Sequence, residues 1–136
     1  MAQHLLITRP EHDYPTRYLS AWAGKFFKLA EEKKFSIIDL NRKRANRKEV
    51  ESVLEKRNPA LVILNGHGND DRVTGHDNNP LVVAKDNSSL LKGKITYAIS
   101  CRSASVLGKE TGQYADTAYI GYKEDFIFIH LEEHRT

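Results

Sequence analysis

Two residues have the types and surroundings for nucleophilic chemistry. His67 stands between glycines in Asn65-Gly66-His67-Gly68, and Cys101 is the only cysteine of the chain. A thiol becomes a strong nucleophile as its thiolate, which a nearby imidazole and a partly exposed helix N-terminus both favour. Glycines on either side of the histidine permit backbone shapes and close approaches that a Cβ would block. A bare Gly68 leaves its N–H able to face a substrate oxygen. Taken singly, a histidine in a surface glycine turn and a buried structural thiol are the ordinary alternatives. The two gain weight together because each closes an apolar run.

Those runs are Leu61-Val62-Ile63-Leu64 before the histidine and Ile95-Thr96-Tyr97-Ala98-Ile99-Ser100 before the cysteine. Both read as buried strands, and the first is apolar at every position, as a central parallel strand covered on both faces must be. As parallel neighbours they would deliver His67 and Cys101 to one sheet edge, where open α/β folds hold their ligands. The rest of the chain alternates in the same way. Leu5-Leu6-Ile7-Thr8 is a short strand, and 15–34 carries apolar residues at helical spacing (Leu19, Ala23, Phe26, Phe27, Ala30). Asp13 and Pro15 supply its start signals. Phe35-Ser36-Ile37-Ile38-Asp39-Leu40 is the second strand. A second helix over 47–57 has Asn46 and Glu49 at capping-box spacing and Pro59 beyond its end.

Residues 65–94 hold most of the turn formers, with a short strand at Leu81-Val82-Val83-Ala84 and a helical turn at 88–91. After Cys101, Arg102-Ser103-Ala104-Ser105 suits the opening of a helix. Ala118-Tyr119-Ile120-Gly121-Tyr122 gives a fifth strand and 126–129 a sixth. This order predicts a mainly parallel central sheet with helices on both faces and right-handed crossovers, a three-layer αβα sandwich of flavodoxin-like strand order. The last residues, 130–136, offer little to cover the final strands, which suggests a partner chain or a longer polypeptide.

At 136 residues the chain is one domain. Its net charge of +3 comes partly from Arg42-Lys43-Arg44 with Arg47-Lys48, which reads as a solvated helix entrance, so no nucleic-acid partner is expected. No apolar run reaches the ~18–20 residues of a membrane span, and the N-terminus lacks a signal peptide's regions. A lone cysteine forms no internal disulfide, which favours a reducing, cytoplasmic setting. His67, Asp70, Asp71, His76 and Asp77 are potential zinc or calcium ligands, but they lack helical spacing and sit in a polar loop. No metal and no cofactor is expected. The turn after the first strand, Arg9-Pro10-Glu11-His12, is not a nucleotide-binding glycine loop.

An apolar strand ending in His-Gly, followed by a strand ending in Cys, resembles the caspase-like superfamily of cysteine peptidases. That superfamily includes caspases, metacaspases, legumains, gingipains, separase and CHAT-domain proteases. The stretch Thr74-Gly75-His76-Asp77-Asn78-Asn79-Pro80-Leu81-Val82 resembles the variable loop and small strand found between the two motifs there. The resemblance covers roughly 1–122 by element order and implies a protein or peptide substrate. It implies Cys101 as nucleophile, His67 as the acid/base that protonates the leaving amine, and the N–H groups of Gly68 and Cys101 as oxyanion hole. It also implies that a homodimer or an additional domain completes activation.

Around the nucleophile the chain reads Ile99-Ser100-Cys101-Arg102-Ser103, against Gln-Ala-Cys-Arg-Gly in caspases. Ile99 stands where relatives often have Gln, Asp or Glu shaping the primary pocket, so cleavage after Asp is not inherited. His67 and Cys101 are also closer in sequence than the ~50 residues of caspases. Glu124 and Asp125 are either simple loop charges or acidic groups that would favour a basic substrate residue. Two readings from other classes stay open: an inactive caspase-like regulatory or interaction module, and a flavodoxin-like binding domain in which the pair is accidental.

Overall fold

Leu5, Leu6 and Ile7 are buried in succession, so the first strand has no solvent face and must lie inside a covered sheet. In the computed structural model, which describes residues 3–125, it does. Strand β1 (Gln3–Arg9) pairs in parallel with β2 (Phe35–Asn41) on one side and β3 (Leu61–Asn65) on the other. Beyond β3 come β7 (Ile95–Ile99) and β8 (Ala118–Ile120), giving a five-stranded, all-parallel sheet in the order β2-β1-β3-β7-β8.

Helices cover both faces. On one side α1 (Tyr14–Ala23) and α2 (Phe26–Glu32) bury Ala23 and Ala30 against Leu5, Ile7, Leu61 and Ile63. On the other, α3 (Arg47–Lys56) buries Val50, Val53 and Leu54 against Leu6, Val62, Leu64 and Ala98. The expected α/β architecture with a parallel sheet between helices is present. No helix among the described residues is long and apolar enough to cross a membrane.

Three expectations need correction. The stripe over 15–34 is two helices, because the N–H of Lys25 turns back to Trp22 in a tighter turn around Gly24 and α2 restarts at Phe26. The segment 65–94 contains a second, three-stranded antiparallel sheet: β4 (Gly68–Asn69), β5 (Arg72–Thr74) and β6 (Pro80–Val83). Its Val73, Leu81 and Val82 join the core on the α3 side, so the small sheet is anchored by burial rather than by its few ladder bonds. Helix does not open directly after Cys101. The chain makes a π-helical turn over Ala104–Gly108, closed by the Gly108 N–H on the Ser103 carbonyl, before a single turn of helix, α4 (Lys109–Thr111). The expected sixth strand, 126–129, lies outside the described residues.

Asn46 caps α3 by accepting the Glu49 N–H at 2.9 Å. The full capping box is at α1, where Asp13 Oδ1 accepts the Thr16 N–H and the Thr16 hydroxyl accepts the Asp13 N–H.

Candidate functional site

The strand order reverses between β1 and β3, with connections leaving β1 and β3 toward opposite faces. Such a switch point opens a crevice at the carboxyl ends of the strands. The loop after β1 carries His12 and Asp13, and the loop after β3 carries His67. These residues meet there.

His67 is held by its backbone first. Asn65 is fully buried and fixes the end of β3 to β1, its N–H on the Thr8 hydroxyl at 3.2 Å and its amide on the Thr8 carbonyl at 3.1 Å. Gly66 then adopts φ +156° with its N–H on the Ile99 carbonyl; a Cβ there would lie 2.4 Å from the Thr74 carbonyl oxygen. The His67 carbonyl accepts both the N–H and the hydroxyl of Thr74, at 2.9 and 3.0 Å. The backbone is thus clamped between β7 and β5, and the ring is aimed across the switch point.

There Nε2 lies 2.5 Å from Asp13 Oδ2. Burial raises the Asp13 carboxyl pKa, but the two bonds from Thr16 and the His67 contact outweigh it and bring the value down to about 2. Asp13 is therefore ionised at neutral pH and only accepts hydrogen bonds. It follows that His67 Nε2 carries a proton, and in the neutral ring Nδ1 holds the lone pair. The ring of His12 packs edge-on to both His67 and His76, with centroids at 5.7 and 5.4 Å.

Cys101 approaches from the neighbouring strand. Asn65 and Ile99 are register partners, so His67 and Cys101 each come second after a paired position on strands about 4.8 Å apart. The thiol is half-buried. Its loop is braced from behind: the Ser100 hydroxyl donates to Ser103 at 3.0 Å, and Ser103 bonds the Tyr119 hydroxyl at 2.7 Å. Arg102 is in the left-handed region, φ 55°, with its N–H on the Glu124 carbonyl at 2.9 Å, and the Ala104 N–H reaches Tyr122.

Gly68 lies against this loop. A Cβ at position 68 would stand 3.0 Å from the Cys101 carbonyl oxygen and 2.9 Å from that of Arg72. Because Gly68 faces Val73 while the Thr74 N–H bonds the His67 carbonyl, Gly68 occupies a non-bonded pair of the β4–β5 ladder. Its N–H consequently points away from β5.

The remaining expected residues divide. Ile99 closes β7 with its carbonyl taken by Gly66. Glu124 and Asp125 flank Cys101 through Arg102, whose guanidinium lies 3.3 Å from Asp125 and 3.8 Å from Asp70. Of the five metal-ligand candidates, Asp71 is paired with Arg72, Asp70 lies near Arg102, Asp77 is exposed and His76 accepts the Glu11 N–H; among the described residues only His67 of the five joins a donor cluster, with His12 and Asp13. In the sequence Asp13 reads as a helix start, and His12 carries no local signal of a site. The signal for both was topological, since residues just after the first strand of a 2-1-3 sheet face the end of the third. No protein-family model and no curated protein matches the chain.

Proposed function

We propose that the chain is a cysteine peptidase domain of caspase-like type, with Cys101 as nucleophile, His67 as acid/base and Asp13 orienting His67. The observation that carries the reading is the β3–β7 register, in which Asn65 pairs with Ile99, together with the contact of Gly68 on the Cys101 backbone. The parallel sheet order and the small antiparallel sheet inserted between the two motifs support the caspase-like reading.

In the reaction the Cys101 thiol gives its proton to His67 Nδ1, and Sγ attacks the scissile carbonyl carbon. The oxyanion is held by the N–H groups of Gly68 and Cys101. Collapse expels the amine, which takes the proton from His67, and leaves a thioester. Water, deprotonated by the same ring, attacks the thioester to release the acid and restore the thiol. Asp13 keeps the proton on Nε2 throughout, so that Nδ1 is the nitrogen that exchanges.

A peptidyl acyloxymethyl ketone tests this. Stoichiometric labelling of Cys101, slowed at least ~100-fold by His67→Ala, is the expected result. Slow labelling indifferent to position 67 overturns the peptidase in favour of an inactive module.

A further inference from the structure

The switch-point crevice holds one ring, His12, that the acid–base role of His67 leaves unused. His12, Asp13 and His67 each bring one donor atom to it, all within 4.8 Å of one another. Asp13 Oδ2 stands 2.5 Å from His67 Nε2 and 3.7 Å from His12 Nε2. A tetrahedral Zn²⁺ with bonds of ~2.0–2.1 Å spaces its ligands by roughly 3.3 Å, so shifts of about 1 Å would accommodate it.

His12 supplies the independent observation. Its side chain is only 9% exposed, and neither ring nitrogen has a hydrogen-bond partner among the described residues. Buried polar groups are nearly always satisfied, so an imidazole with neither nitrogen hydrogen-bonded calls for an explanation. Its position is imposed: the His12 N–H is on the Thr16 hydroxyl at 3.1 Å, and the neighbouring Glu11 N–H donates to His76 Nδ1 at 3.3 Å. The loop is held on both sides of a ring whose Nε2 looks toward Asp13.

We propose that His12, Asp13 and His67 bind a divalent transition metal of the Zn²⁺ class, with water completing the tetrahedron. Two imidazoles and one carboxylate suit zinc, whereas calcium and magnesium require more oxygen ligands. Asp13 can ligate through Oδ2 while Oδ1 continues to cap α1. Metal on His67 Nε2 displaces the proton there, and the neutral ring then carries its proton on Nδ1. One proton leaves, one arrives, and the lone pair that would receive the Cys101 proton is gone. Metal occupancy and the acid–base use of His67 exclude each other. This second half rests on the peptidase reading; the binding half does not.

The test is a Co²⁺ titration of the metal-stripped full chain. One equivalent gives the visible band of tetrahedral Co²⁺, Zn²⁺ displaces it, and Cys101→Ser leaves it unchanged. His12→Gln weakens binding by at least ~100-fold. His67→Gln, at a more exposed position and with an unaltered circular dichroism spectrum, does the same. No band at one equivalent, a band that survives both glutamine variants, or a sulfur charge-transfer band lost in Cys101→Ser overturns the site. Saturating Zn²⁺ slows ketone labelling of Cys101 at least tenfold, and a chelator restores it. Zn²⁺ binding that leaves labelling unchanged overturns the exclusion alone. Failure of the metal-free chain to label overturns the peptidase reading and leaves the metal site standing.

Discussion

Asp13 and His67 are 54 positions apart in sequence, yet Oδ2 of one lies 2.5 Å from Nε2 of the other. The same carboxylate caps α1 through Oδ1, so one residue fixes both the helix entry and the histidine tautomer. Asp13→Asn separates these duties. Asparagine caps as well as aspartate, so stability should change by less than about 1 kcal/mol. Its amide, however, can donate to Nε2 and move the ring proton to Nδ1. Labelling of Cys101 should fall by about 100-fold, read by mass spectrometry against time. An unchanged rate would reduce Asp13 to a helix cap.

The approach of Gly68 to the Cys101 loop makes a second test. In Gly68→Ala the new Cβ meets backbone atoms at 2.9 and 3.0 Å, which no side-chain rotation relieves. The variant should lose roughly 1–3 kcal/mol in urea unfolding, as overpacked sites do. Labelling should slow as the N–H at 68 is displaced. Gly24→Ala, whose nearest neighbour would be 3.4 Å away, should be tolerated. Equal behaviour of the two would mean that the contact between Gly68 and the Cys101 loop is loose.

The parallel sheet was legible because its strands are apolar on consecutive positions, as Leu61 to Leu64 show, and that pattern admits few alternatives to burial on both faces. Strands β4 and β5 were not legible. They are two and three residues long and include Gly68, Asn69 and Arg72. They exist because Thr74 takes the His67 carbonyl and Val73 enters the core, neither of which leaves a local pattern. The break at Gly24 was hidden for the opposite reason: the apolar stripe runs through it. His67 and Cys101 could be picked from their strand ends, whereas Asp13 and His12 needed the strand order.

Arg102 bears on substrate choice. Its guanidinium faces Asp125 and Asp70, which offsets the negative charge expected to attract a basic substrate residue. Arg102→Ala should therefore raise cleavage or labelling with Lys- or Arg-containing peptides relative to neutral ones by several-fold, about 1 kcal/mol. Asp125→Ala in the natural background removes the opposite charge and should lower that ratio. A ratio that moves with Asp125 but not with Arg102 would show the carboxylate acting unscreened. Profiling both variants with a pair of ketones differing only in that residue decides it.

Tyr119 ties the loop of Cys101 to β8 through Ser103, and its ring fills the space beside Gly108 and Gly121. Burial pushes the phenol up to about 12, although the Ser103 bond acts in the opposite direction. The folded state thus holds this proton more tightly than the unfolded chain, where the value is 10.0. Its contribution is complete below pH 10 and is lost as pH rises through 12. By pH 11 the loss should be on the order of 1 kcal/mol. Tyr119→Phe removes the hydroxyl and costs about 1 kcal/mol at neutral pH by leaving Ser103 short of a partner. The urea midpoints of the two chains should therefore differ at pH 8 and converge near pH 11, since the other titrating groups cancel in the comparison. A gap that stays constant across that range would mean the phenol ionises alike in the folded and unfolded chain. The Ser100–Ser103–Tyr119 brace would then not be the buried support that holds Cys101 at the sheet edge.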